Sequence, residues 1–259
     1  MSGAAFFDLD RTLMAGSSGL HWARAAARAG LIPRRRLYLD AWANLQFRLQ
    51  GSTDETTQRV QERVSAIIAG HRTVEFARMA PTVLAGVLPR LYPRMLHVAW
   101  EHQDAGRRVY ICTATTQETA ELLATVLGFD GGIGTQLEVD DDGVLTGRLV
   151  GPFNYGEGKP VRMRELAARE GIDLAASWAY SDSASDLPML RAVGHPVVVN
   201  PDAELARVAA EEGWEVLRFE TLGRRLKIAA AVGAAAAVGA AARRAARRRA
   251  PGRRGARGE

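Results

Sequence analysis

Two hydrophobic rhythms share this chain. Ala4-Ala5-Phe6-Phe7-Asp8-Leu9-Asp10 is an apolar run closed by two carboxylates one residue apart, and Ala4 to Leu9 reads as a buried strand. Arg108-Val109-Tyr110-Ile111-Cys112-Thr113 is a second run, rich in β-branched and aromatic side chains, and it ends in hydroxyls at Thr113, Thr115 and Thr116. Ser177 to Asp182 is a short third strand, again ending in a carboxylate, followed by Ser183-Ala184-Ser185-Asp186-Leu187-Pro188. Pro196 to Asn200 and Glu215 to Phe219 are the last strands, and Asp141-Asp142-Gly143 marks a hairpin turn. Between the first two strands the rhythm is helical over Gly19–Gly30, Arg34–Leu49, Thr53–Ala69 and Val74–Leu84, with breaks at Gly30–Pro33, Gly51-Ser52, Gly70 and Pro81. Ser52 or Thr53 followed by Asp54-Glu55 is a helix start. That stretch is far too long for a loop. It predicts an inserted helical cap over residues 15–88, between two parts of an α/β core at 1–14 and 89–222, with the core resuming in a helix over Arg90 to Gln103.

Composition bounds this picture. A length of 259 residues holds one large domain and an insert, and a single cysteine excludes an internal disulfide framework and fits a reducing compartment. Asp8 and Asp10 interrupt any apolar leader, so no signal peptide is expected and the location is read as cytoplasmic. The net charge of +5 is uneven: Arg243–Glu259 carries eight arginines and one glutamate, +7, which leaves −2 for the rest. Residues 223–259 are therefore set apart as a tail. Its Ile228–Ala242 segment is uncharged and mostly alanine, helical by propensity but shorter than the roughly 20 strongly apolar residues of a spanning helix. The Arg-rich end, broken by Pro251 and glycines, is expected to be disordered. It reads either as a solvated tail or as an attachment to anionic lipid at the inner face of the membrane, at about 1 kcal/mol per basic residue near the surface. Nucleic acid fits less well, because no aromatic residues are interleaved for stacking.

The chemistry gathers at strand ends. On a strand, residues i and i+2 share a face, so Asp8 and Asp10 leave the first strand in one direction. Like charges that close are costly unless a cation or a reaction uses them. In a parallel sheet the loops at the carboxyl ends of the strands converge on one crevice. Asp8 and Asp10, Thr113, and Asp182 with Asp186 would then meet, and Lys159, in the turn Gly156-Glu157-Gly158-Lys159-Pro160, would join them from a helix start. Such a set suits a phosphate and a hard cation.

In their order along the chain, Asp8-x-Asp10-x-Thr12, Thr113, Lys159 and Asp182-x-x-x-Asp186 resemble the four motifs of the haloacid dehalogenase superfamily of phosphohydrolases. The spacing, the helical insert and the hairpin Asp142-Gly143-Val144-Leu145-Thr146-Gly147 are similar to its phosphoserine-phosphatase-like subgroup, IB, and the likeness runs from about Ala4 to about Phe219. The resemblance implies a Rossmann-like core with a parallel sheet and a Mg²⁺-dependent phosphomonoesterase acting through an aspartyl-phosphate. Asp8 would be the nucleophile and Asp10 the acid and base. Thr113 would bind a phosphoryl oxygen, and Lys159 would offset negative charge. Asp8, Asp182 and the Asp10 carbonyl would ligate Mg²⁺, and Asp186 would hold a metal water or orient Lys159.

The substrate is a small phosphorylated metabolite that the residues do not name. Phosphoserine phosphatases meet the substrate amine with a glutamate nine residues after the nucleophile; here that place holds Ser17, and no acidic residue occurs between Asp10 and Asp40. Ser17, Ser18 and His21 are candidate substrate contacts, with Arg48 as an anion partner. Cys112 reads as a small core residue. Alternatives are a binding protein that keeps this fold, a phosphotransferase, and a lysophospholipid or polyol phosphate phosphatase recruited to anionic membrane by the tail.

Overall fold

The computed structural model describes residues 2–32, 62 and 65–219. The chain divides after Leu217, and Met1–Leu217 is one compact unit. Its frame is a six-stranded, wholly parallel sheet. The strands are β1 (Ala4–Phe7), β2 (Arg108–Thr116), β3 (Gly131–Thr135), β6 (Trp178–Ser181), β7 (His195–Val199) and β8 (Glu215–Leu217), in the order β3-β2-β1-β6-β7-β8. A separate antiparallel pair, β4 (Leu137–Val139) and β5 (Leu145–Leu149), is the expected hairpin. Helices among the described residues include α1 (Ser18–Arg28), α2 (Thr73–Val87), α3 (Pro93–Asp104), α4 (Gln117–Leu127), α5 (Gly158–Glu170), α6 (Leu187–Leu190) and α7 (Ala203–Glu212).

All four β1 residues are buried, as a central parallel strand covered on both faces requires. One face puts Phe6 against Tyr110 at 5.5 Å between ring centres, above a core that includes Met163, Leu166, Met189 and Leu205 from the helices. On the other face Phe7 stacks on Tyr180 at 4.3 Å and meets His102 of α3 edge-on. Arg107 Nε donates to His102 Nδ1 at 2.7 Å, so the neutral ring carries its proton on Nε2 and gives it to the Tyr180 hydroxyl, 2.7 Å away. Burial, then Arg107, lower the His102 pKa to about 4, which keeps the ring neutral.

The sheet grows from β1 in both directions: to β2 and β3 on one side, to β6, β7 and β8 on the other. That reversal opens a crevice at the carboxyl end of β1. The register fixes what reaches it. Phe7 lies level with Ile111 of β2 and Tyr180 of β6, so Asp8 emerges level with Cys112 and Ser181.

Some expected boundaries shift. The break expected at Pro81 does not occur, and α2 runs through it. Pro81 and Ala77 are both exposed, so the carbonyl that loses its helical partner can meet water. The helix expected from Arg90 starts at Pro93, after a single 3₁₀ turn at Leu88–Arg90. β3, α4 and α7 were not anticipated. The helical patterns at Arg34–Leu49 and over most of Thr53–Ala69, like the tail beyond Phe219, lie outside the described residues. Among the described residues no helix is long and apolar enough to cross a membrane.

Candidate active site

Asp8 is the first residue past β1, and its N–H still donates to Tyr180 O at 2.9 Å. Its carboxylate meets a lysine that arrives from far along the sequence. Lys159 is the second residue of α5, and the turn before it folds so tightly that a Cβ on Gly158 would lie 1.8 Å from Phe153 O. A lysine in a helix's first turn faces the positive end of the helix dipole and needs compensation. Lys159 finds it in Asp8 Oδ1 at 2.7 Å and Asp186 Oδ2 at 2.8 Å, with only 2 % of its side chain exposed. Ser181 Oγ donates to the same Asp186 oxygen at 2.7 Å. Burial opposes the lysine's charge, but Asp186 and Asp8 outweigh it, and its pKa stands above the ordinary value.

Asp182 follows β6 and is buried beside Arg11. Arg11 Nε lies 3.1 Å from Asp182 Oδ2, yet out of line for a hydrogen bond, and that oxygen has no hydrogen-bond partner. Burial pushes Asp182 up to about 8 against the pull of Arg11, and pushes Asp8 up to about 7 against the pull of Lys159. Three buried carboxylates, Asp8, Asp182 and Asp186, thus face one buried lysine and one half-exposed arginine. This is a deficit of positive charge that a divalent cation would fill, so the residues fit Mg²⁺. Among the described residues no three His, Cys, Asp or Glu side chains form a metal-binding group. The protein would supply carboxylates from Asp8 and Asp182 and leave other positions to backbone, water and phosphate, which is how Mg²⁺ is commonly held.

Asp10 is held by other partners than Lys159. Its Oδ2 accepts from Ser17 Oγ and its Oδ1 from the Ser18 N–H, both at 2.8 Å, at the start of α1. Two candidate substrate contacts, Ser17 and Ser18, are thereby tied to Asp10. His21 is packed into α2, where a Cβ on Gly86 would lie 2.1 Å from its Nδ1; burial, then Arg90 and Arg24, hold its pKa below the ordinary value. Arg48 lies outside the described residues.

Thr113 is buried, and its hydroxyl accepts a long bond, 3.4 Å, from the Thr115 N–H. Here β2 loses register with β3 between Cys112 and Thr116. Asn154 closes the gap: its Nδ2 donates to Thr113 O at 2.7 Å and to Ile133 O at 2.9 Å. Cys112 is fully buried, and burial raises its thiol to about 12, so it is a packing residue. Asn154, Ser181 and Arg11 were not singled out in the sequence. Arg11 sits inside the first motif, and Ser181 ends a strand beside Asp182, which is the signal they offered. Asn154 lies in a loop and offered none.

One turn along α1 from Ser18, Trp22 borders an apolar cavity of about 490 Å³, walled also by Phe76, Val83, Leu84, Leu122 and Leu145, with Glu118 as its one carboxylate among the described residues.

The haloacid dehalogenase-like hydrolase family matches residues 5–191, which takes in Asp8, Asp10, Thr113, Lys159, Asp182 and Asp186. A Mycobacterium tuberculosis protein named phosphoserine phosphatase SerB1 is 36% identical over 240 residues, 90% of this chain and 78% of that one. A histidinol-phosphatase of Neisseria meningitidis serogroup C is 32% identical over 238 residues, 85% of this chain and all of that one. A solved structure of a Bordetella pertussis protein of unknown function superposes with a TM-score of 0.72 at 31% identity, covering 84% of this chain and 98% of that one. A parallel sheet with carboxylates and a lysine gathered at its switch point, and a family match that spans them, lead to one conclusion: the chain belongs to the haloacid dehalogenase-like hydrolases, as a phosphoric monoester hydrolase.

Proposed function

We propose that the enzyme is a Mg²⁺-dependent phosphomonoesterase that passes its substrate's phosphoryl group through Asp8. The observation that carries this reading is Lys159, buried and bonded to both Asp8 and Asp186 at the carboxyl end of β1. It grips one Asp8 oxygen, positions the carboxylate and lends positive charge to an incoming phosphate. Asp8 attacks phosphorus, the bond to the leaving oxygen breaks, and Asp10 gives that oxygen a proton. Water then attacks the same phosphorus, the bond to Asp8 breaks, and Asp10 takes the water's proton. Thr113 donates its hydroxyl to a phosphoryl oxygen, while Asp186 keeps Lys159 in place. Asp8, Asp182 and the Asp10 carbonyl would hold Mg²⁺, which when bound neutralises phosphoryl charge.

The substrate is a small phosphate monoester without an ammonium group beside the phosphate. Ser17 offers no charge to an ammonium group and spends its hydroxyl on Asp10. The cavity beyond Trp22 is apolar and suits an uncharged alcohol portion. The test is phosphate release with Mg²⁺ from glycerol phosphate, a medium-chain alkyl phosphate, phosphoserine and histidinol phosphate. The amine-free esters should show the higher kcat/KM. A preference for phosphoserine that Glu118→Gln abolishes would overturn this substrate reading and make Glu118 the ammonium partner.

A further inference from the structure

We infer that Ser17 is a positioning residue for proton transfer: its hydroxyl and the Ser18 N–H together hold Asp10 where it meets the leaving oxygen. The inference rests on the reading of Asp10 as acid and base. Ser17 is the N-cap residue of α1, with extended backbone angles (φ −128°, ψ 128°), yet its side chain does not cap the helix. A serine there ordinarily bonds an N–H two or three residues ahead. This one turns back to Asp10 Oδ2 at 2.8 Å instead. Helix α1 has no acidic residue in its first turn, so Asp10 supplies that charge from outside, accepting the Ser18 N–H at 2.8 Å.

The consequence is geometric. The last torsion of an aspartate is broad, and one hydrogen bond would leave the carboxyl group free to rock. Two bonds, one on each oxygen, fix its plane. The backbone below is tied as well, because the Leu13 and Met14 N–H groups both donate to Leu9 O, at 3.1 and 3.0 Å. The Ser18 bond belongs to the helix. The Ser17 bond is the part of the clamp that a side chain controls, so Ser17 sets how well Asp10 serves a departing oxygen that needs a proton.

Leaving groups separate this role from a structural one. An alkoxide needs its proton as the phosphorus–oxygen bond breaks, whereas nitrophenolate leaves without one. In Ser17→Ala, kcat/KM should fall roughly tenfold on an alkyl phosphate and less than about twofold on p-nitrophenyl phosphate. Ser17→Thr, which keeps the hydroxyl, should restore the alkyl ester, and Ser17→Ala added to Asp10→Asn should cost nothing further. Equal losses on both esters would overturn the inference, because a disturbed fold or altered binding would act alike on both. So would an undiminished alkyl rate in Ser17→Ala while Asp10→Asn loses it. If Asp10→Asn itself keeps full alkyl turnover, the assignment of Asp10 fails, and the role of Ser17 falls with it.

Discussion

At the scale of the residue, Asn154 does what the backbone cannot. Where β2 slips out of register with β3, two carbonyls, Thr113 O and Ile133 O, both accept from the Asn154 side chain. A single amide bridges them, and Thr135 Oγ1 ties Ala114 O at 3.0 Å on the same side. Asn154→Ala should therefore take a buried donor away from two carbonyls and cost about 2–3 kcal/mol, read as a lower denaturant midpoint with an unchanged slope. Turnover should drop with it, since Thr113 loses its anchor; a midpoint within about 0.5 kcal/mol of the unaltered protein would contradict this. As candidates, Asp8, Thr113 and Asp182 were legible because each ends a strand pattern, Lys159 because it opens a helix pattern, and Asp186 by its spacing from Asp182. Asn154 was not, because a loop asparagine gives the same sequence signal whether it faces solvent or bridges two strands. Ser17 was legible as a residue near the site, but the direction of its hydroxyl depends on where Asp10 turns.

At the scale of the element, the start of α5 is the part with least freedom. The turn that delivers Lys159 passes Phe153 O so closely that any side chain at position 158 must push the helix away. Gly158→Ala should displace Lys159 from Asp8 and lower kcat by 100-fold or more, since the lysine's contact with the reacting carboxylate depends on a shift of about 1 Å or less. Activity close to normal would mean that the turn can relax without moving the lysine. Strands β1, β2, β6, β7 and β8 followed from apolar runs, and the hairpin followed from its Asp-Gly turn. β3 did not, because in Gly131-Gly132-Ile133-Gly134-Thr135 three glycines dilute the strand signal of Ile133 and Thr135. Its glycines serve packing instead: a Cβ on Gly132 would lie 2.3 Å from the backbone of Ala120 in α4. The continuation of α2 through Pro81 was hidden too, since only the fold shows that Ala77 and Pro81 both lie exposed.

At the scale of the whole molecule, the site is a local excess of buried negative charge that the fold tolerates for the sake of chemistry. Burial raises Asp8 to about 7 and Asp182 to about 8, from an ordinary value of 3.8. Groups raised on folding favour the folded state in their protonated form. Their contribution is complete below about pH 3.8 and is lost as pH rises through 7 and 8. Mg²⁺ binds the ionised carboxylates and should return part of that loss. The rise in melting temperature on adding Mg²⁺ should thus be larger at pH 8.5 than at pH 6. An equal rise at both would place the binding elsewhere. At this scale the sequence revealed that strand ends far apart in the chain share one crevice, because parallel topology brings them there. It did not reveal the balance of charge, which depends on how deeply Lys159 and Arg11 are buried.

The central claim is that the phosphoryl group rests on Asp8 during turnover. The most direct measurement is rapid acid quenching of the enzyme with an aryl phosphate and Mg²⁺, followed by peptide mass spectrometry across the first strand. One phosphoryl group should appear on the peptide that carries Asp8, disappear at neutral pH as phosphate is released, and be absent from Asp8→Asn and from reactions without Mg²⁺. Turnover by Asp8→Asn, or rapid phosphate release by the unaltered enzyme with no phosphorylated Asp8 at any quench time, would contradict the account.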